Sequence, residues 1–299
     1  MGTVVTIDVP PHGALGHPDA EVAEAVTRAF GWFHELERLC SRFDPTSELM
    51  QLAGRPGLPV PVSPTLFEVI RFAIAVADAS GGAFDPTVGA RLERAGFNRH
   101  HRTGQPHSTS VDVPDDVTFR DVRVDADRRT ITLQRPMVLD LGAVAKGMAI
   151  DLAARELEDF EHFAIDAGGD LYLAGLNPDG AAWSAGIRHP GGDGLIGTVR
   201  VSNAAVCTSG NYERRSEASP AARHIIDPRD GSLPDALVSA TVVAPSAMLA
   251  DALATTTFVL GPARGRRLLD EHGACGVLFA ADLTRLVTGG CRRDDVVVV

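Results

Sequence analysis

The segment Asp140-Leu-Gly-Ala-Val-Ala-Lys-Gly-Met-Ala-Ile-Asp151 leaves the chain few ways to fold around it. Val138 and Leu139 read as the end of a buried strand, and from Ala143 onward Val144, Met148 and Leu152 recur at helical spacing. A strand must therefore become a helix over an acid, two glycines and a lysine. Glycine lets backbone approach a ligand closely, and a helix N-terminus leaves N–H groups unpaired that favour an anion. Lys146 falls in the first turn, where the helix dipole repels a cation, so negative charge is expected opposite it. A phosphate or carboxylate ligand meets that demand; a solvated lysine beside a glycine-eased turn is the plain alternative. The order G-x-x-x-x-G-K-[ST] is absent, so this is not a Walker loop.

With 299 residues, 44% of them apolar and 22% charged, the chain has material for a large core. Residues 1–299 are expected to form a single domain, either one body or two intimate lobes. A net charge of −11 with no basic run argues against nucleic-acid binding. An anionic small ligand would then need locally concentrated positive charge or a metal ion. Cys40, Cys207, Cys275 and Cys291 lie far apart with no CxxC pair. They read as reduced thiols of a cytoplasmic protein, not as a disulfide framework or a zinc site. The start, Met1 to Asp8, is a short strand reaching a Pro-Pro pair, too brief for a signal peptide. The apolar region from Ala236 to Leu260 is broken by Pro245 and Asp251, so it reads as a strand and a helix, not a transmembrane segment.

Along the chain, Val22, Val26, Ala29, Phe33, Leu36 and Cys40 mark one face of a helix over Asp19 to Cys40. Ser47 is placed to cap a short helix through Leu52, and Ser63 with Pro64 opens another that Gly81 closes. Gly81 to Gly89 is a turn-rich loop with a buried Phe84 and with Asp85 held by a proline. Residues 98–117, which include His100, His101 and His107, read as a mobile polar loop without metal-ligand spacing. Val122–Val124 and Thr130–Leu133 form a hairpin. After a helix over 143–159 the pattern turns to short strands between glycine and proline turns. Thr208-Ser-Gly-Asn-Tyr212 reads as a hydroxyl-rich turn, and His224-Ile-Ile-Asp-Pro228 as a strand end presenting a histidine and an acid. A strand over Ser239–Ala244 is followed by Ser246, capping a helix that Gly261 stops. Within that helix Asp251 and Thr255 share a face, and Asp251 sits among alanines and leucines. A carboxylate buried there needs a cation or donors: a hard metal ion, or a hydrogen bond to Thr255.

Seven motifs occur in one order: Ser41-Arg-Phe with Ser47-Glu-Leu49, Gly82-Ala-Phe-Asp-Pro-Thr87, Asp140-Leu-Gly with Ala-Lys-Gly147, Asp166-Ala-Gly-Gly-Asp170, Thr208-Ser-Gly210, His224-Ile-Ile-Asp-Pro228 and Ala250-Asp-Ala-Leu-Ala-Thr255. In that order they resemble the ApbE family, the FAD:protein FMN transferases. The resemblance runs from Met1-Gly-Thr3 to Leu260-Gly261. It implies an α+β fold, with helices packed on mixed, largely antiparallel sheets and a ligand cleft between lobes. It also implies Mg²⁺-dependent transfer of FMN from FAD to a Ser or Thr hydroxyl of an acceptor flavoprotein, with release of AMP. On that resemblance Ala83, Phe84, Asp85, Asp140, Lys146, Thr208, Ser209 and Gly210 match FAD contacts. The Ala143 carbonyl, Asp251 and Thr255 match magnesium ligands. His224 and Asp227 match the catalytic segment, and His224, Asp227 or Asp85 is the candidate acceptor of the hydroxyl proton. Ala143, Met148 and Cys207 depart from the family's commoner glycine, tyrosine and alanine. An FAD-binding protein without transferase activity, or a metal-dependent FAD pyrophosphatase, are the alternatives the residues leave open.

Overall fold

The computed structural model describes residues 2–99, 104–105, 107–109, 111–211, 223–291 and 296–297. The chain divides into two compact units. One comprises Met1–Gly2, His34–Ala145 and Glu213–Leu233; the other comprises Thr3–Phe33, Lys146–Tyr212 and Pro234–Val299. Strand β1 (Val5–Asp8) and helix α1 (Asp19–Cys40) come first, and Ala25, Ala29, Phe33 and Leu36 of α1 are buried at the expected helical interval.

The first unit continues with α2 (Glu48–Ala53), β2 (Val60–Pro61), α3 (Pro64–Ala79), α4 (Gly89–Arg94), β3 (Val122–Asp125) and β4 (Thr130–Leu133). Both predicted serine caps are present: Ser47 Oγ accepts from the Met50 N–H at 3.1 Å and Ser63 Oγ from the Leu66 N–H at 3.3 Å. Each such cap contributes about 1 kcal/mol. Glu48 adds a link between the two helices, taking the Ser63 N–H and hydroxyl on its two oxygens at 2.6 Å each. Strands β2, β4 and β3 make a small antiparallel sheet that includes the expected hairpin. Gly81 and Gly82, at φ of 62° and 82°, carry the chain from α3 into Ala83–Asp85 through left-handed backbone that side chains disfavour.

One expectation fails here. Val138 and Leu139 are buried but are not in a strand. Gly89 lies against Val138 so closely that a Cβ would fall 2.5 Å from the Val138 carbonyl oxygen, and the Asp140 N–H goes to the Pro86 carbonyl at 2.7 Å. Packing against the 86–89 turn replaces the pairing a strand would need. Segment 224–228 is likewise not in a strand: it leads into a turn at 228–230, where the Asp227 N–H bonds Ser232 O and the Gly231 N–H bonds Asp227 O. Of the 98–117 loop, His100 and His101 lie outside the described residues, while the His107 N–H meets the Asn98 carbonyl.

Helix α5 (Gly142–Glu156) leads into the second unit, followed by β5 (Phe163–Ala167), β6 (Asp170–Ala174), β7 (Trp183–Arg188), β8 (Leu195–Val201), β9 (Ala204–Gly210) and β10 (Leu237–Ala244). Helix α6 (Ala247–Glu271), β11 (Cys275–Ala280), β12 (Arg285–Val287) and β13 (Val296–Val297) complete it. Seven strands form one sheet in the order β1-β5-β6-β9-β10-β11-β12, and a second sheet has the order β13-β8-β7. Every pairing among the described residues is antiparallel. Leu173, Val206 and Val277 of the large sheet pack with Ile187, Val199 and Val201 of the small one. Helix α6 lies on β9 and β10. It breaks where predicted: Gly261 has φ 75° and ψ −178°, and Pro262 follows. Thr208, Ser209 and Gly210 are the end of β9 instead of a turn, since Ala240 of β10 pairs with Ser209 and Thr241 with Thr208.

The cysteine reading is also corrected. Cys275 and Cys291 form a disulfide, while Cys40 and Cys207 are buried free thiols. The β11–β12 pairing brings together two residues separated by 16 positions, which spacing alone does not reveal. The disulfide removes the thiol argument for a cytoplasmic setting. No helix among the described residues is long and apolar enough to cross a membrane.

Candidate active site

In the second unit Lys146 Nζ lies between two carboxylates, pairing with Asp170 Oδ2 and, at 2.9 Å, with Asp251 Oδ2. The negative charge that a first-turn lysine demands is thus supplied by the protein itself. All three side chains are largely withdrawn from solvent, at 15% exposure for the lysine and 9% for each acid. Two carboxylates and one ammonium leave the cluster one negative charge in excess. Asp170 Oδ1 accepts the Thr208 N–H at 3.2 Å, so β6 and β9 meet at this acid. Next to it on β9, Ser209 Oγ is 3.0 Å from Thr255 Oγ1, and Thr208 Oγ1 is 2.9 Å from Thr241 Oγ1. Asp251 and Thr255 therefore have separate partners, and the simple hydrogen bond between them is not what the helix uses.

Two features of α5 fix Lys146 relative to α6. Asp151 takes the Ala247 N–H on Oδ1 at 2.6 Å and the Met248 N–H on Oδ2 at 3.0 Å, satisfying donors that a helix start leaves open. Burial nevertheless pushes the Asp151 carboxyl above its ordinary value, with the two backbone N–H groups pulling the other way. Gly147 touches α6 so closely that a Cβ would fall 2.5 Å from Met248 Cα. The second glycine of the sequence corner is therefore a helix-contact residue. Cys207 is fully enclosed, its thiol pushed well up by burial and by the Asp251 charge, which rules it out as a nucleophile at neutral pH.

The first unit holds the remaining candidates. Asp140 accepts from Arg42 Nε at 2.6 Å and from the Gly142 N–H at 2.9 Å, so it opens α5 and pairs a buried arginine at once. Arg42 also donates to the Phe97 carbonyl at 2.6 Å and stacks over Phe43. Ala143 stands in the first turn of α5. Ala83 and Phe84 are buried, and Asp85 has both oxygens engaged: Thr87 N–H and hydroxyl on Oδ1, Phe119 N–H on Oδ2. With three donors on it, this carboxylate holds the turn together. Asp227 is similarly bound by the Arg229 guanidinium on both oxygens, which lowers its carboxyl below the usual range. His224 is half-buried, its ring 6.3 Å edge-on from Phe97.

Sequence reasoning assigned no role to Asp170 or Arg42, although both lie inside quoted motifs. For Asp170 the signal was its place beside the Gly168-Gly169 corner; Arg42 offered none, because its partner Asp140 lies 98 positions along the chain.

The fold and the site define a class: an α+β protein with antiparallel sheets and a buried lysine–carboxylate–hydroxyl cluster where α5 meets α6. The ApbE family model matches residues 1–279, and the chain belongs to that family. A Treponema pallidum FAD:protein FMN transferase is 33% identical, over 88% of this chain and 78% of that protein. The Escherichia coli K12 FAD:protein FMN transferase is 29% identical, over 79% and 71% respectively. Among solved structures, the flavin transferase ApbE from Vibrio cholerae superposes at a TM-score of 0.82, with 26% identity over 97% of this chain and 95% of that one. The ApbE protein of Thermotoga maritima superposes at 0.81, with 27% identity over 98% and 99%.

Proposed function

We propose that this chain transfers FMN from FAD to a Ser or Thr hydroxyl of an acceptor protein, releasing AMP, with Mg²⁺ held at Asp251 and Thr255. Family membership and the relatives named as FAD:protein FMN transferases support the reaction class. The single structural observation that carries the reading is the cluster of Lys146, Asp170, Asp251, Thr255 and Ser209. Its donors suit a hard divalent cation: carboxylate and hydroxyl oxygens, no thiolate or imidazole, and an excess negative charge withdrawn from water. When bound, the ion would offset charge on the pyrophosphate during the transfer.

The chain's own groups do the rest. Lys146, shared between two carboxylates, would offer its ammonium to a phosphate oxygen, and Asp251 and Thr255 would hold the cation. Ser209 fixes the Thr255 hydroxyl, and Asp170 ties Lys146 to the end of β9. The acceptor hydroxyl attacks the FMN phosphorus, the bond from that phosphorus to the AMP oxygen breaks, and AMP leaves. The attacking hydroxyl loses its proton to His224 in this reading, since Asp85 and Asp227 already have their oxygens filled.

The test is intact mass of an acceptor protein after incubation with FAD and Mg²⁺, with and without a chelator. A metal-dependent gain equal to FMN, matched by AMP release, is expected. Release of AMP and FMN with no gain on the acceptor would instead identify a pyrophosphatase.

A further inference from the structure

Glu93 lies in the last turn of α4 and belongs to none of the seven motifs, yet its side chain is only 10% exposed. Its two oxygens face different neighbours. Oε2 accepts the Thr109 N–H at 3.3 Å and the Thr109 hydroxyl at 3.0 Å. Oε1 faces Arg42 Nη1 from 3.7 Å, too far for a hydrogen bond, and neither of these two buried atoms has a hydrogen-bond partner among the described residues. An acceptor and a donor buried unbonded beside each other are costly to keep, so the pair calls for a reason.

The reason lies on the far side of the arginine. Arg42 gives Nε to Asp140 Oδ2 and Nη2 to the Phe97 carbonyl, each at 2.6 Å. Its guanidinium thus meets two carboxylates through different nitrogens, one bonded and one held off, and the three side chains carry one negative charge in excess. Water reaches this arginine little, so the Glu93 charge acts on it across 3.7 Å with weak screening. Asp140 is in turn oriented by Arg42 on Oδ2 and by the Gly142 N–H on Oδ1. A carboxylate has about four acceptor positions, so two such bonds set its direction and do not exhaust it. All of these residues lie within the first unit.

We propose that Glu93 is a positioning residue for FAD: it keeps Arg42 from neutralising Asp140 fully, so that the Asp140 carboxylate stays a strong, oriented acceptor for a hydroxyl or amine donor of the dinucleotide. The proposal rests on the transfer reading, in which Asp140 contacts FAD.

FAD binding to the full chain, followed by flavin fluorescence, tests this with Glu93→Gln. The amide oxygen of that side chain can still serve Thr109, which turns its NH₂ toward the Arg42 N–H, donor against donor. The Kd for FAD should rise roughly tenfold, the size of a charge-assisted hydrogen bond. In the transfer assay KM for FAD should rise with it, while kcat at saturating FAD stays within about twofold. Thr109→Val removes the other anchor of Glu93 and should leave FAD affinity at the parent level. With Asp140→Asn already in place, Glu93→Gln should add nothing, because its effect passes through Asp140. Thermal melts verify folding; should Glu93→Gln not fold, Glu93→Asp, which draws the charge back by one carbon, is read in the same way. Unchanged FAD affinity in the Glu93 variant overturns the proposal, as does an equal loss in Thr109→Val or a further loss on top of Asp140→Asn. The transfer reading fails separately. A chain whose FAD affinity depends on Glu93 but which moves no FMN to an acceptor defeats that reading alone, and transfer with parental FAD affinity in Glu93→Gln defeats the positioning role alone.

Discussion

Lys146 serves stability and chemistry together. Removing it leaves Asp170 and Asp251 facing each other, nearly buried, without a cation. Lys146→Ala should therefore lower stability by about 3 kcal/mol, the low end for breaking a buried pair because some exposure remains. It should also suppress FMN transfer. Lys146→Met, which keeps the volume, should behave the same way in thermal melts and in the transfer assay; a stable Lys146→Met protein would mean the two acids are neutralised by something else. Asp251→Asn is the contrasting change. Lys146 keeps Asp170 as its partner, so melting temperature should hardly move, while metal-dependent transfer should drop ~100-fold or more. Full Mg²⁺-dependent activity in that variant would place the cation elsewhere.

The meeting of α5 with α6 is where a single methyl group decides the geometry. Gly147→Ala puts a Cβ against backbone, which has no rotamer to yield, so the helices must separate. Overpacking of this kind costs about 1–3 kcal/mol, and transfer should fall further than stability does because Lys146 and Asp251 ride on the two helices. Transfer kinetics set beside urea melts check this. Asp151→Asn removes an acceptor for one of two helix-start N–H groups and should cost about 1–2 kcal/mol near neutral pH. Its pH dependence has a definite sign. The native carboxyl sits above its ordinary value of 3.8, so the folded protein holds that proton more tightly than the unfolded chain. The penalty for ionising it is absent below 3.8 and grows as pH rises through the native value. The deficit of Asp151→Asn relative to the parent should therefore widen as pH falls from neutrality; a deficit that narrowed would contradict the burial argument.

At the scale of the whole molecule, the Cys275–Cys291 disulfide closes a loop across the β11–β12 hairpin. A closed loop whose ends lie 16 positions apart stabilises by about 3 kcal/mol through the unfolded state. Reductant should lower the melting temperature accordingly. Alkylation of the unfolded chain should label two cysteines before reduction and all four after it, and four before reduction would show that the pair is not bonded.

Local chemistry made much of this legible in advance. The apolar period of α1, the Ser47, Ser63 and Ser246 caps, the β3–β4 hairpin and the Gly261-Pro262 break follow from interactions within a few residues. Motif order pointed to the family, and the demand of Lys146 for negative charge could be stated from the helix dipole alone. Which negative charge answers it could not, because Asp170 and Asp251 arrive from β6 and α6, 24 and 105 positions along the chain. The same holds for Val138 and Leu139, whose burial was readable but whose segment packs against a turn far back in sequence, with the Asp140 N–H on Pro86. It holds for Gly147, which looked like ligand clearance and proved to be helix contact, and for two cysteines joined by a hairpin. Sequence determines what a segment needs through propensity, period and unpaired charge; long-range packing decides which distant residue supplies it.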